Sequence, residues 1–111
     1  MGSNRDEIND LMFEIHRNAR KKGWWDNPRT FGDHMALCHS ELSEALELFR
    51  EGLRPKEIFY RDDGKPEGIP IELADVVIRI MDYCCHEEID LEDAIRQKHA
   101  YNLTRTDKKV I

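Results

Sequence analysis

No apolar run in this sequence approaches the ~20 residues that cross a bilayer, which excludes a membrane-spanning helix. The first residues, MGSNRDE, lack the apolar core of a secretory signal. They open Met-Gly, but position 6 is Asp6 where myristoylation requires Ser or Thr. The expectation is a cytoplasmic protein that makes no use of a membrane, with Met1-Gly2-Ser3 read as a cloning remnant. A basic excess is also missing. The chain has 23 acids against 17 bases and a net charge of −6, which argues against a nucleic-acid polymer as partner. There is no internal repeat, no low-complexity segment and no strand-like alternation of apolar and polar residues. The three cysteines, Cys38, Cys84 and Cys85, are an odd count inside helical patterns. They form no disulfide framework and are expected to be reduced. Cys84-Cys85-His86 lacks zinc-ligand spacing. No histidine falls three residues after a glutamate, so the Glu-x-x-His pairs of di-iron bundles are absent.

What is present is helix. At 111 residues, 13.1 kDa and mean hydropathy −0.72, residues 1–111 read as one domain with a modest core that oligomerisation would enlarge. Ile8, Leu11, Met12, Ile15 and Ala19 recur at helical spacing. Asn4 with Glu7 offers a capping box at the start of this helix and Gly23 a stop. Trp24-Trp25-Asp26-Asn27-Pro28 reads as a connection. Thr30 and Asp33 open a second helix, which runs to about Glu51 and ends at Gly52. From Leu53 to Pro70 no periodicity persists, and Pro55, Gly64, Pro66 and Gly68 interrupt the segment. It reads as a long loop with a short turn around Lys56–Tyr60, and such loops are usually functional or mobile. Asp62-Asp63-Gly64 lacks the ligand spacing of a calcium loop. Pro70 suits the first turn of a third helix. Asp90 caps a fourth, which reaches Thr104 or Arg105, and residues 106–111 read as a mobile tail. The fold class is all-α, a bundle of four to five helices.

Two of these helices carry acids where apolar residues are expected. Ile71 to Cys85 is apolar almost all round, which marks a buried helix. Glu72, Asp75, Arg79 and Asp82 interrupt it within an arc of roughly 80° at about 100° per residue. Arg79 and Asp82 are at ion-pair spacing, i and i+3. On the second helix, Phe31, Leu37, Cys38, Leu42, Ala45, Leu48 and Phe49 all point within roughly 80° of Glu41. Glu44 lies on the shoulder of that face, Glu47 and Glu51 turn to solvent, and Arg50 is opposite. Buried carboxylates need cations or metal. If the two helices run antiparallel, Glu41, Glu44, Glu72 and Asp75 converge, and an all-oxygen set favours Mg²⁺ or Mn²⁺ over zinc. The competing reading is a salt-bridge network through Arg79 and Lys98.

The fourth helix begins apolar, with Leu91, Ala94 and Ile95, and the same face continues through Lys98, Asn102 and Arg105. Such a face suits phosphate oxygens, and it equally suits a solvated helix end. Acids on one side and bases on the other fit a metal–polyphosphate ligand, since metal and bases together neutralise the phosphates. Trp24 and Trp25 stack on a base or plug the end of the bundle. His34 is a satisfied core histidine or a substrate contact.

The ordered set Glu41-x-x-Glu44, Glu72-x-x-Asp75 and Lys98-x-x-x-Asn102-x-x-Arg105 resembles the MazG-like all-α nucleoside triphosphate pyrophosphohydrolases. The stretches KPEGIPIELADVVIRI and KHAYNLTR carry the likeness, which covers residues 31–105. The family pattern often opens with a further acid, and Ser40 occupies that place here. The resemblance implies a bundle whose core is completed in a homodimer or a homotetramer (a dimer of dimers). It implies Mg²⁺-dependent hydrolysis of a nucleoside triphosphate, deoxyribose favoured, to monophosphate and pyrophosphate, in a nucleotide-pool house-cleaning role. By position, Glu41, Glu44, Glu72 and Asp75 would bind metal, and Glu41 and Glu44 would be catalytic, with Glu44 handling the attacking water. Lys98, Asn102 and Arg105 would hold substrate, with Trp24, Trp25 and His34 nearby. Ser40 motivates an alternative, a helical nucleotide-binding or protein-interaction module without catalysis.

Overall fold

The computed structural model describes residues 7–106. The readings of residues 1–3, of Asn4 as a cap and of the tail beyond Thr106 lie outside the described residues. Four helices dominate: α1 (Glu7–Lys21), α2 (Phe31–Arg50), α3 (Ile69–His86) and α4 (Leu91–Thr104). A single 3₁₀ turn, Trp24–Asp26, joins α1 to α2. The all-α class holds.

Local chemistry sets the helix ends. At α2, Thr30 Oγ1 accepts from Asp33 N at 3.0 Å, and Asp33 Oδ2 accepts from Thr30 N at 2.9 Å. This is a complete capping box. The helix stops where Gly52 takes φ 101°. Gly52 N donates to Phe49 O and Leu53 N to Leu48 O, which satisfies carbonyls the helix leaves unpaired.

The segment read as a structureless loop contains a small hairpin. Strands β1 (Phe59–Tyr60) and β2 (Pro66–Glu67) pair antiparallel, Phe59 opposite Glu67 and Tyr60 opposite Pro66. Asp62-Asp63-Gly64 is its turn, with Gly64 N donating to Arg61 O at 2.8 Å and Arg61 N to Lys65 O at 2.9 Å. Strands of two residues leave no alternation to read, so the Asp63-Gly64 pair at the turn is their one sequence signal. The hairpin leads straight into α3 through Gly68, at φ 130°. A Cβ there would lie 2.3 Å from Glu57 O, so only glycine lets the chain cross its own start so closely.

Met12, Met81 and Cys84 form the core, with Ile8, Ile15, Cys85 and Leu91 packed around them. It lies between α1, α3 and the first turn of α4. The starts of α1 and α4 cap each other. Glu92 Oε1 accepts from Ile8 N at 2.9 Å and Asn9 N at 3.3 Å. In return Asn9 Oδ1 accepts from Glu92 N at 3.2 Å, and Asn9 Nδ2 donates to Asp90 Oδ1 at 2.8 Å. Glu92 is 3% exposed, and its charge suits the electropositive helix start it meets.

The helix faces expected to be buried are largely uncovered. On α2 only His34, Cys38 and Ala45 are buried, while Phe31, Leu42 and Phe49 are exposed. On α3, apolar nearly all round, Leu73, Val77, Ile78 and Ile80 are exposed. Four short helices have too few partners to cover every apolar side of α2 and α3.

Candidate metal centre

α2 and α3 pack antiparallel, the arrangement that brings the two acidic pairs together. Tyr83 meets Phe31 and His34 at one end, and Arg79 meets Glu41 one to two turns along. At that level Glu41, Glu72 and Asp75 each offer a carboxylate oxygen within 4.8 Å of the others. Three oxygens at that separation could hold one cation. Glu44, the fourth candidate, is exposed and stands outside this triad, but its charge still acts on Glu72 and Asp75.

The triad is short of positive charge. Arg79 donates from Nη2 at 3.2 Å and Nε at 3.3 Å, both to Glu41 Oε1. It serves one carboxylate of three. Glu72 Oε1 is enclosed and meets no hydrogen-bond donor, a costly state for an acid. Burial, then the charge of Glu44, contact with the Glu41 carboxyl, and the charges of Glu41 and Asp75 push the Glu72 carboxyl up to about 7. Burial and the neighbouring acids also raise Asp75, with Arg79 and Lys65 opposing them. Protons held this way are what a divalent ion displaces.

Arg79 was expected at ion-pair spacing to Asp82, and instead it reaches across to α2. Asp82 is engaged elsewhere, by His16 and Trp25. His16 Nδ1 lies 2.7 Å from Asp82 Oδ1. Trp25 Nε1 donates to Oδ1 at 3.0 Å and Oδ2 at 3.2 Å. Trp25 also stacks on His86, centroids 3.8 Å apart, and closes that end of the helices. His34 is buried between Trp25 and Tyr83. Burial, then the charges of Arg29 and His86, lower its pKa, so it behaves as a neutral core residue.

Trp24 stands closer to the acids. Its ring carries the Arg29 guanidinium at 3.8 Å and that of Arg79 at 4.8 Å. A groove of about 500 Å³ runs beside it between α1 and α3, with Asp75 and Arg79 at one edge and Ile15, Asn18 and Ile78 in its wall. The cationic face of α4 is less directly joined. α4 packs against α1. Lys98 and Arg105 lie 5.1 and 5.6 Å from the centroid of the Tyr101 ring, and Asn102 is half-buried.

Sequence reasoning missed two participants. His16 sits one turn after Met12 on the inward side of α1, and that i+4 spacing was the available signal. Lys65 follows the Asp-Asp-Gly turn that would have identified the hairpin. No family model, curated protein or solved structure matches the chain.

Proposed function

We propose that this protein is a Mg²⁺-dependent nucleoside triphosphate pyrophosphohydrolase that converts a (deoxy)nucleoside triphosphate and water to the monophosphate and pyrophosphate. One observation carries the reading: the Glu41–Glu72–Asp75 carboxylates converge around an enclosed oxygen with no donor. Salt bridging alone leaves that oxygen unsatisfied, whereas a hard divalent cation satisfies it and the all-oxygen set suits Mg²⁺ or Mn²⁺. When bound, such an ion would neutralise phosphate charge and acidify a water.

The chain's own residues then have distinct tasks. Glu41, Glu72 and Asp75 would hold the ion, with Arg79 fixing the orientation of Glu41. Glu44, at the rim with its carboxylate open to solvent, would accept the proton of the attacking water. The water oxygen bonds to the α-phosphorus, the α–β anhydride bond breaks, and pyrophosphate leaves with the bridging oxygen. Lys98, Asn102 and Arg105 would hold the phosphates. The groove bounded by Asp75 and Trp24 offers room for the nucleoside. The uncovered apolar sides of α2 and α3 support a homodimer or dimer of dimers, in which α4 of either copy could serve the site. The soluble character and the pool-cleaning role follow from the same reading.

Incubation with a panel of (d)NTPs and Mg²⁺ should release pyrophosphate. Glu41→Gln should retain helical circular dichroism and lose at least ~100-fold in rate. Folded, metal-loaded protein that turns over no nucleotide would overturn the assignment, and nucleotide-dependent stabilisation without turnover would identify a binding module instead.

A further inference from the structure

A large cleft lies on the other flank of α1, away from the carboxylate triad. It encloses about 1070 Å³ between the second half of α1 and the end of α3. Its wall is markedly basic for an acidic protein. Arg17, Arg20 and Lys21 line it at i, i+3 and i+4, so all three project from one side of the helix. None of them forms an ion pair among the described residues, whose salt bridges all involve other cations. Two acids, Asp26 and Glu88, also border the cleft, and neither is engaged by these cations.

The remaining wall is aromatic and rigid. Trp25 and His86 form a parallel stack, with an interplanar angle of 3°. His16 stands edge-on to both rings, fixed through Nδ1 to the buried Asp82. Phe13, 59% exposed, completes the rim. Unpaired guanidinium groups beside a fixed aromatic wall recognise phosphate oxygens attached to a flat ring.

We propose that this cleft is a second anion site, which takes a polyphosphate and binds it more tightly when an aromatic base is attached. It is independent of the triad in position and in chemistry: the triad takes phosphate only through a cation, and this cleft takes it directly. That difference supplies the test. In EDTA the carboxylates repel phosphate, so calorimetric titration of the metal-free protein with inorganic tripolyphosphate or with dATP, in wild type and in a K98A/R105A background that removes the other candidate phosphate contacts, reads the cleft. Both ligands should bind, dATP the more tightly, and the affinities should fall steeply with added salt. The R17A/R20A/K21A variant changes only exposed side chains and should lose at least ~10-fold in affinity, a loss of about 1.4 kcal/mol. Glu72→Gln should bind as the wild type does.

In ¹⁵N-edited spectra the imidazole signals of His16 and His86 should move on titration with either ligand. Absence of binding in EDTA would overturn the inference, as would equal binding by the triple variant or stationary imidazole signals. Failure here leaves pyrophosphate release unaffected, and failure of pyrophosphate release leaves this titration standing.

Discussion

Helix α3 carries buried acids at two levels, and they are treated in opposite ways. At Asp82 the carboxylate is 7% exposed and both oxygens are occupied, by His16 and by the Trp25 indole. Nearly three turns earlier Glu72 has an enclosed oxygen without a donor and two further carboxylates beside it. Both acids lie on the same stripe of the same helix. Burial of an acid is therefore no sign of function in itself; the missing donor is. Asp82 ties α1 and the Trp25 turn to α3, whereas Glu72 and its neighbours are arranged at a cost to the folded state that a ligand can repay.

The contrast can be broken most forcefully at Asp82. Asp82→Ala strands the partners of that carboxylate and should cost about 3 kcal/mol in urea unfolding. Glu72→Gln removes a repulsion and should be neutral or stabilising in metal-free protein. Equal destabilisation by the two changes would erase the distinction drawn here. Mg²⁺ should act only on the other side of the comparison. At a hundredfold excess over its dissociation constant it should stabilise the wild type by about 2.7 kcal/mol, seen as a raised melting temperature. Glu72→Gln should abolish that rise.

The acidity of the triad sharpens the contrast further. Glu72 and Asp75 hold protons more tightly in the folded chain than in the unfolded one. Stability is then fully present below the unfolded values and declines as pH rises toward the folded ones. His34, lowered in the folded chain, acts in the opposite sense below its usual value, so the Glu72 contribution is read as a difference. Metal-free wild type should lose melting temperature relative to Glu72→Gln as pH rises from about 4.5 through about 7. A difference between the two proteins that stays constant across that range would contradict it. The smallest effect is at Trp25. Trp25→Phe keeps a ring against His86 but loses the indole donor, and about 1 kcal/mol should disappear from the unfolding free energy.

Much of this was legible in the sequence. The four helices, the Thr30–Asp33 box and the Asp90 cap follow from periodicity and capping rules, which depend on neighbours three or four residues apart. The meeting of Glu41 with Glu72 and Asp75, without Glu44, followed once antiparallel packing was assumed. The partner of Arg79 was not legible. Arg79 is one turn from Asp82 along its own helix, yet Glu41 on α2 is the acid it meets, and only the antiparallel packing decides between them. Nor was the exposure of Phe31, Leu42 and Val77 legible, because an amphipathic pattern states which face seeks cover and not whether one chain supplies it. Nor was the role of Glu92 legible: it stands in the first turn of α4, but the start it serves most directly belongs to α1.

That last arrangement also bears on how the chain folds. Ile8 N finds its acceptor 84 residues away, and Glu92 N finds one in the side chain of Asn9. Each helix start is thus completed by a group from the far side of the sequence. Closing so long a loop costs little more than closing a shorter one, and α3, which packs against α1 and leads into α4, holds the two starts together. The two starts therefore depend on each other, and amide exchange at Ile8 and at Glu92 should report a single opening event.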